Sequence, residues 1–250
     1  AIHLISKITD ARISTVSGGT ARNAIPRDAE AVLLIPENDA EAVKSCIEQL
    51  QRKLRREYRT TDPNLGITLS PGSGDFKAAS AASTRSAIDT VFTYPDGVTA
   101  MSKDIANLVE TSNNLATVKV ENGQLIILSN QRSSNMDSLA LLCDRILSVA
   151  RLAGAEGETS GGYPSWQPNM DSQLLARCLD VYEKRFGKKP VVEAIHAGLE
   201  CGIIGSKYDG MDMISFGPTI KNPHSPDEKI EIESIGLVWD FMVALFKSYK

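Results

Sequence analysis

At 250 residues, with 42% hydrophobic and 23% charged side chains, the chain is long enough for one or two domains with a real core. Its net charge of -4 lacks the basic footprint of a nucleic-acid binder, and no run of about 18 apolar residues offers a membrane span. Neither nucleic acid nor a membrane is therefore an expected partner.

Cys46, Cys143, Cys178 and Cys201 show no CxxC spacing, and three of them fall on helical apolar patterns. That is the usage of reduced core thiols in a cytoplasmic protein. No signal peptide is evident. Ala1 stands directly in a β-like pattern, as expected for a sequence that starts within a longer protein or that has lost an initiator methionine.

From His3 to Val16 the apolar residues alternate loosely and predict an extended segment ending at Gly18-Gly19. Ala31 to Ile35 predicts a second strand, stopped by Pro36. Between them lies a polar, glycine-containing loop that includes Asn23. Asn38 or Asp39 is expected to cap a long helix with Val43, Ile47, Leu50 and Leu54 at spacings of three and four. Lys53, Arg55 and Arg56 in its last turns suit the negative end of the helix dipole. A strand over 64–69, a weakly specified helix over 75–91 and a turn at Tyr94-Pro95-Asp96-Gly97 follow.

Ala116 to Val120 and Gln124 to Leu128 flank Asn122-Gly123, a strong hairpin signal. A polar segment from Ser129 to Ser134 leads into a helix bearing Leu139, Leu142, Cys143, Ile146 and Val149, which ends before Gly154. The order β-β-α thus occurs twice, which suits an antiparallel sheet with helices on one face, closed by a strand over 156–166. Past Pro168 the pattern changes. Asn169 or Asp171 is expected to cap a helix with Leu174, Cys178 and Tyr182, terminated by Gly187. A strand over 190–195, a short helix over 198–205, a strand over 211–216 and a last helix with Ile235, Trp239, Met242 and Phe246 complete the chain. The expected fold class is α/β, an α+β layer over 1–166 joined to the tail of an α/β domain over 167–250.

Few residues carry recognisable chemistry, since GxGxxG, Walker, HExxH and GxSxG motifs are all absent from the sequence. His224 sits between Pro223 and Pro226, in a loop stiffened on both sides, a setting that suits a metal ligand or an exposed imidazole. Asn23 suits either donation to a substrate carbonyl or an Asx turn. Arg132 suits a substrate carboxylate or a solvated surface position. Gly198 offers either backbone to a ligand or a simple strand-to-helix turn, and Glu200 is a helix-start carboxylate or a partner of a site residue.

Three stretches carry a resemblance when taken together: Gly18-Gly19-Thr20-Ala21-Arg22-Asn23-Ala24-Ile25-Pro26-Arg27, Ile195-His196-Ala197-Gly198-Leu199-Glu200-Cys201-Gly202, and Phe216-Gly217-Pro218-Thr219-Ile220 through His224-Ser225-Pro226-Asp227-Glu228. Met101 to Asp104 and Leu108 to Leu115 add to it. The chain resembles the aminoacyl-histidine dipeptidases (Xaa-His dipeptidases), a branch of the di-zinc peptidases. The resemblance implies a cytoplasmic hydrolase of Xaa-His dipeptides such as carnosine, with two zinc ions in the intact active site. It implies that residues 1–166 form a substrate-capping lid that also supports a homodimer, and that 167–250 form the closing part of the catalytic domain. His224 would be the last zinc ligand, Asn23 and Arg132 substrate contacts from the lid, and Gly198 a backbone contact.

The family's other ligands are an His-x-Asp motif, a bridging Asp, a Glu-Glu pair whose first member is the general base, and a further Asp. None of these is in the sequence, His3 and His196 lie outside any such motif, and a lid histidine expected before the first strand is missing. The chain alone is therefore expected to hold no catalytic residue and to be inactive, with the N-terminal half of the catalytic domain as its missing partner. The alternatives are a non-catalytic association module, pairing through sheet edges, or a related amidohydrolase acting on another peptide or acyl-amino acid.

Overall fold

The computed structural model describes residues 1–103, 105–162, 164–166, 169–193, 200–222 and 227–249. Its described residues fall into two compact units, one built from Ala1–Ala100, Thr111–Arg132 and Leu139–Thr159, the other from Met101–Glu110, Ser133–Ser138 and Ser160–Lys250.

The first unit opens with a single helical turn, α1 (Ile2–Ile5), where loose alternation predicts extended chain. Packing decides against the extended form: the turn delivers Ile5 into a core with Ala11, Val43 and Ile47. Strand β1 (Arg12–Gly18) then pairs antiparallel with β2 (Ala29–Leu34), from Arg12 opposite Leu34 to Gly18 opposite Ala29. Helix α2 (Ala40–Glu57) buries Val43 and Ile47 as its periodicity predicts. Asp39 stands at its N-cap but does not cap with its side chain. Its Oδ2 instead accepts a hydrogen bond from Thr9 Oγ1 at 2.6 Å.

No strand forms over 64–69, because the Ile67 N–H is satisfied at 2.7 Å by Gln51 Oε1 on α2 rather than by a ladder. Helix α3 (Ala81–Thr93) starts later than predicted, at Ser80, whose Oγ accepts from the Ser83 N–H. Beyond the turn at Tyr94 comes β3 (Gly97–Met101), which sequence patterning does not foresee. Strands β4 (Val109–Glu121) and β5 (Gln124–Ser133) form the predicted hairpin, with Asn122 and Gly123 both at positive φ, as a tight primed turn requires. Both strands run well past their predicted ends. Helix α4 (Met136–Leu152) follows and buries Leu142.

The sheet order is β2-β1-β4-β3, with β5 also paired to β4. Along β5, Leu125, Ile127, Ser129, Gln131 and Ser133 are at least half covered, whereas Ile126, Leu128 and Arg132 are exposed. The two faces of β5 thus differ in cover, within the mixed α/β architecture with an antiparallel sheet that the element order implies.

In the second unit, α5 (Gln173–Phe186) packs on α7 (Ile232–Lys247) through Cys178, Val181, Phe241 and Leu245. Between them lie α6 (Glu200–Gly205) and a two-residue ladder of β6 (Ile220–Lys221) with β7 (Lys229–Ile230). The strands predicted over 156–166, 190–195 and 211–216 are not formed by the described residues of those ranges. Gly161 at positive φ and Pro164 interrupt the first. In the last, Ile214 packs against the α5–α7 core and the half-exposed Phe216 sets its ring edge-on to Phe241, without any ladder.

Ser172, not Asn169 or Asp171, caps α5, its Oγ accepting from the Leu175 N–H at 2.9 Å. Asp212 reinforces the same end of the helix: the Ser172 hydroxyl first, then the Leu174 N–H at 2.9 Å, hold its carboxyl below the usual range. A depressed folded pKa means stability that is present above the unfolded value, about 3.9, and lost as pH falls through the folded one. Asp212→Asn is therefore expected to lower the thermal midpoint at neutral pH. Its difference from the wild type should vanish in strong acid, as read by circular dichroism melts across pH.

All four cysteines are unpaired. Burial pushes the Cys143, Cys178 and Cys201 thiols up, which keeps them protonated at neutral pH.

Candidate functional site

Asn23 lies in the loop between β1 and β2, and two features of the sequence seat that loop on β4. The first is Gly19, at φ +74°, where an added Cβ would stand 1.9 Å from the Ala116 carbonyl oxygen. Only glycine permits so close an approach of two backbones. The second is Asn114, whose Nδ2 donates to the Ala24 carbonyl at 2.8 Å. Within the loop the Ala24 N–H donates to the Ala21 carbonyl at 3.2 Å, closing a turn that holds Arg22 and Asn23 at its tip. Asn23 is exposed, and its amide makes no hydrogen bond among the described residues. The side chain therefore does not form the Asx turn, and it is available to a ligand.

On β4, Asn113 and Asn114 look in opposite directions, as neighbours on a strand do. Asn113 is 3% exposed and faces the covered side. Its Nδ2 donates to the Pro95 carbonyl, and its Oδ1 accepts from Gln131 Nε2 at 2.8 Å. The same Gln131 nitrogen reaches Ser129 Oγ, which stands 2.8 Å from the Tyr94 hydroxyl. Burial, opposed by the Ser129 contact, raises the Tyr94 phenol above its ordinary pKa, so at neutral pH the hydroxyl remains a neutral partner. Because Gln131 shares Asn113's face, its neighbour Arg132 shares Asn114's face. One face of the β4–β5 pair thus carries both the post that holds the Asn23 turn and the exposed guanidinium of Arg132. Arg132 has no carboxylate and no hydrogen-bond acceptor among the described residues. A planar cation and an unpaired amide on one open face suit a small ligand that ends in a carboxylate.

Sequence reasoning missed Asn114 and the network behind Asn113. The available signal was the Asn-Asn pair itself, since asparagine is depleted in strands and two in succession call for partners on both faces.

In the second unit, Gly198 and His224 lie outside the described residues, as does His196. Glu200 is the first residue of α6, where its charge suits the positive end of the helix. Gly202 lets α6 approach the chain at Pro164, since a Cβ there would stand 2.3 Å from the Pro164 carbonyl oxygen. Among the described residues no three His, Cys, Asp or Glu side chains come together as a metal cluster, so they do not by themselves fit a zinc ion.

Residues 1–62 match the peptidase dimerisation domain family. Over 241 residues the chain is 37% identical to the cytosol non-specific dipeptidase of Escherichia coli (strain K12), an alignment covering 95% of this chain and 49% of that protein. The crystal structure of aminoacylhistidine dipeptidase from Vibrio alginolyticus matches with a TM-score of 0.88 at 36% identity, over 97% of this chain and 49% of that one. The chain spans about half the length of these relatives. Over nearly all of its own length the chain is thus similar to about half of each of these two dipeptidases, and its first 62 residues match a peptidase dimerisation domain.

Proposed function

We propose that the chain supplies about half of a metal-dependent dipeptidase whose substrates are Xaa-His dipeptides. In this reading residues 1–166 form the lid and residues 167–250 the closing part of the catalytic domain. Arg132 grips the dipeptide's C-terminal carboxylate, and the amide of Asn23 steadies oxygen charge at the scissile carbonyl. Gly198 presents backbone to the substrate, and His224 contributes one ligand to a zinc site. The remaining ligands and the general base belong to polypeptide outside this chain, and the chain alone is inactive.

The observation that carries the reading is the shared sheet face of the unpaired Arg132 and of Asn114, which holds the Asn23 turn. The names of the two dipeptidase relatives support the reaction class, and the aminoacylhistidine dipeptidase supports the histidine preference. A cytoplasmic location belongs to the same proposal, supported by the word cytosol in the name of the Escherichia coli relative. No helix among the described residues is long and apolar enough to cross a membrane.

The test is a substrate panel on the intact protein: Xaa-His dipeptides, other dipeptides, tripeptides and N-acyl amino acids. Fastest turnover of Xaa-His dipeptides is expected. Turnover confined to N-acyl amino acids would replace the reading with that of a related amidohydrolase.

A homodimer is proposed as well, because the family matched by residues 1–62 is a dimerisation domain and β5 keeps one edge unpaired among the described residues. Sedimentation equilibrium of the intact protein should give twice the monomer mass, and a monomer at micromolar concentration would contradict it.

A further inference from the structure

The Asn23 turn has few internal restraints. Its single internal backbone hydrogen bond joins Ala24 to Ala21, and Gly19 joins Asp28 at the base of the loop with a longer bond of 3.3 Å. Left alone, a polar loop of this kind samples many conformations, and an amide at its tip would bring little pre-organisation to a ligand. The one side chain outside the loop that bonds it is Asn114, among the hydrogen bonds of the described residues. Asn114 in turn stands on the most constrained stretch of β4. One residue before it, Asn113 is tied to Pro95 and Gln131. One residue after it, the Leu115 N–H donates to Asp96 Oδ1 at 2.8 Å. Two residues after it, Ala116 is fully buried, and its backbone carbonyl stands close against Gly19. The strand at this point is fixed on both faces and along its edge, and Asn114 transmits that fixity to the loop.

We propose that Asn114 is a positioning residue for substrate binding: its amide, donating to the Ala24 carbonyl, latches the Asn23 turn over the sheet face that carries Arg132. The inference rests on the reading of Asn23 and Arg132 as substrate contacts. Its physical core, the latch, can be tested apart from them. Without the donor, Asn23 remains in the chain but its amide is no longer held in place. Loss of Asn114 should then mimic loss of Asn23.

Three variants of the intact protein test this: Asn114→Ala, Asn114→Asp, which keeps the size but removes the donor, and Asn23→Ala. Hydrogen exchange reads the latch directly. The amides of residues 19–24 should exchange at least about 10-fold faster in both Asn114 variants, while the β1–β2 ladder amides keep their protection. Unchanged exchange over 19–24 overturns the proposal whatever the kinetics show.

Kinetics read the coupling. Asn114→Ala and Asn114→Asp should each lower kcat/KM for a dipeptide about 10-fold, and Asn23→Ala combined with Asn114→Ala should be no worse than Asn23→Ala alone. A merely structural role for Asn114 predicts that Asp is tolerated and that the two losses multiply. Either result overturns the positioning role. If Asn23→Ala is itself without effect while exchange over 19–24 rises, the latch stands and the reading of Asn23 as a substrate contact is what fails.

Discussion

Under the proposed function, replacing Arg132 with alanine in the intact protein is expected to lower kcat/KM for a dipeptide by about 10- to 150-fold while leaving the thermal midpoint unchanged. The first half follows from chemistry. Hydrogen bonds to a charged partner contribute roughly 1.5–3 kcal/mol, and each 1.36 kcal/mol is a tenfold change. The second half follows from structure, since Arg132 is exposed near the end of β5 with no partner among the described residues. Its removal strands no buried group and opens no cavity, so stability should move by less than about 0.5 kcal/mol. Most of the loss should appear in KM if the carboxylate is gripped equally in ground and transition states. Arg132→Lys should recover only part of it, because an ammonium keeps the charge but not the two-pronged geometry. Steady-state kinetics and a melting curve on the same preparations check both halves. A fall in the melting temperature equal to that of a core mutant would reassign Arg132 to stability.

Gly19→Ala acts through the fold, and more strongly. At φ +74° an L-residue is strained, and the added methyl would meet the Ala116 carbonyl oxygen at 1.9 Å and the Thr117 Cα at 3.3 Å. Both obstacles are backbone of a paired strand, so neither can rotate aside. Left-handed strain of about 1–2 kcal/mol adds to an overpacking cost of about 1–3 kcal/mol, for a total of about 2–5 kcal/mol. The chain can lower that cost only by lifting the β1–β2 loop from β4, which moves the Asn23 turn. Chemical denaturation should therefore show a large loss of stability. Gly97→Ala is the control: φ is +80° there, but nothing lies within 4 Å of the added methyl, so only the backbone strain remains. Equal losses at the two positions would mean that the close approach of Gly19 to β4 is not what makes glycine necessary.

The parts of this fold that could be read from sequence are those decided locally. Val43 and Ile47 at helical spacing specify α2, and Asn122-Gly123 specifies the hairpin turn between β4 and β5, whatever surrounds them. The parts that could not be read depend on distant partners. Strand β5 runs through the polar stretch Ser129–Ser133 because Tyr94 and Asn113 satisfy Ser129 and Gln131, and neither partner is near in sequence. The alternating residues of 64–69 form no strand because Gln51 takes the Ile67 N–H first. The same distinction holds at the site. Arg132 and Asn23 were recognisable as residue types in loops and strand ends, yet their common sheet face follows only from the Asn113–Gln131 pairing and the Asn114–Ala24 bond. Asp212 at the start of α5 is another such case, a cap completed from 38 residues away.

A substrate carboxylate meeting Arg132 is the central requirement of the proposed function, and one comparison addresses it directly: kcat/KM of wild type and Arg132→Ala on an Xaa-His dipeptide and on its C-terminal amide. Wild type should prefer the free acid by at least about 10-fold, and Arg132→Ala should lose that preference while hydrolysing the amide about as well as wild type does. A variant that slows both substrates by the same factor, or that keeps the preference for the acid, would contradict the account.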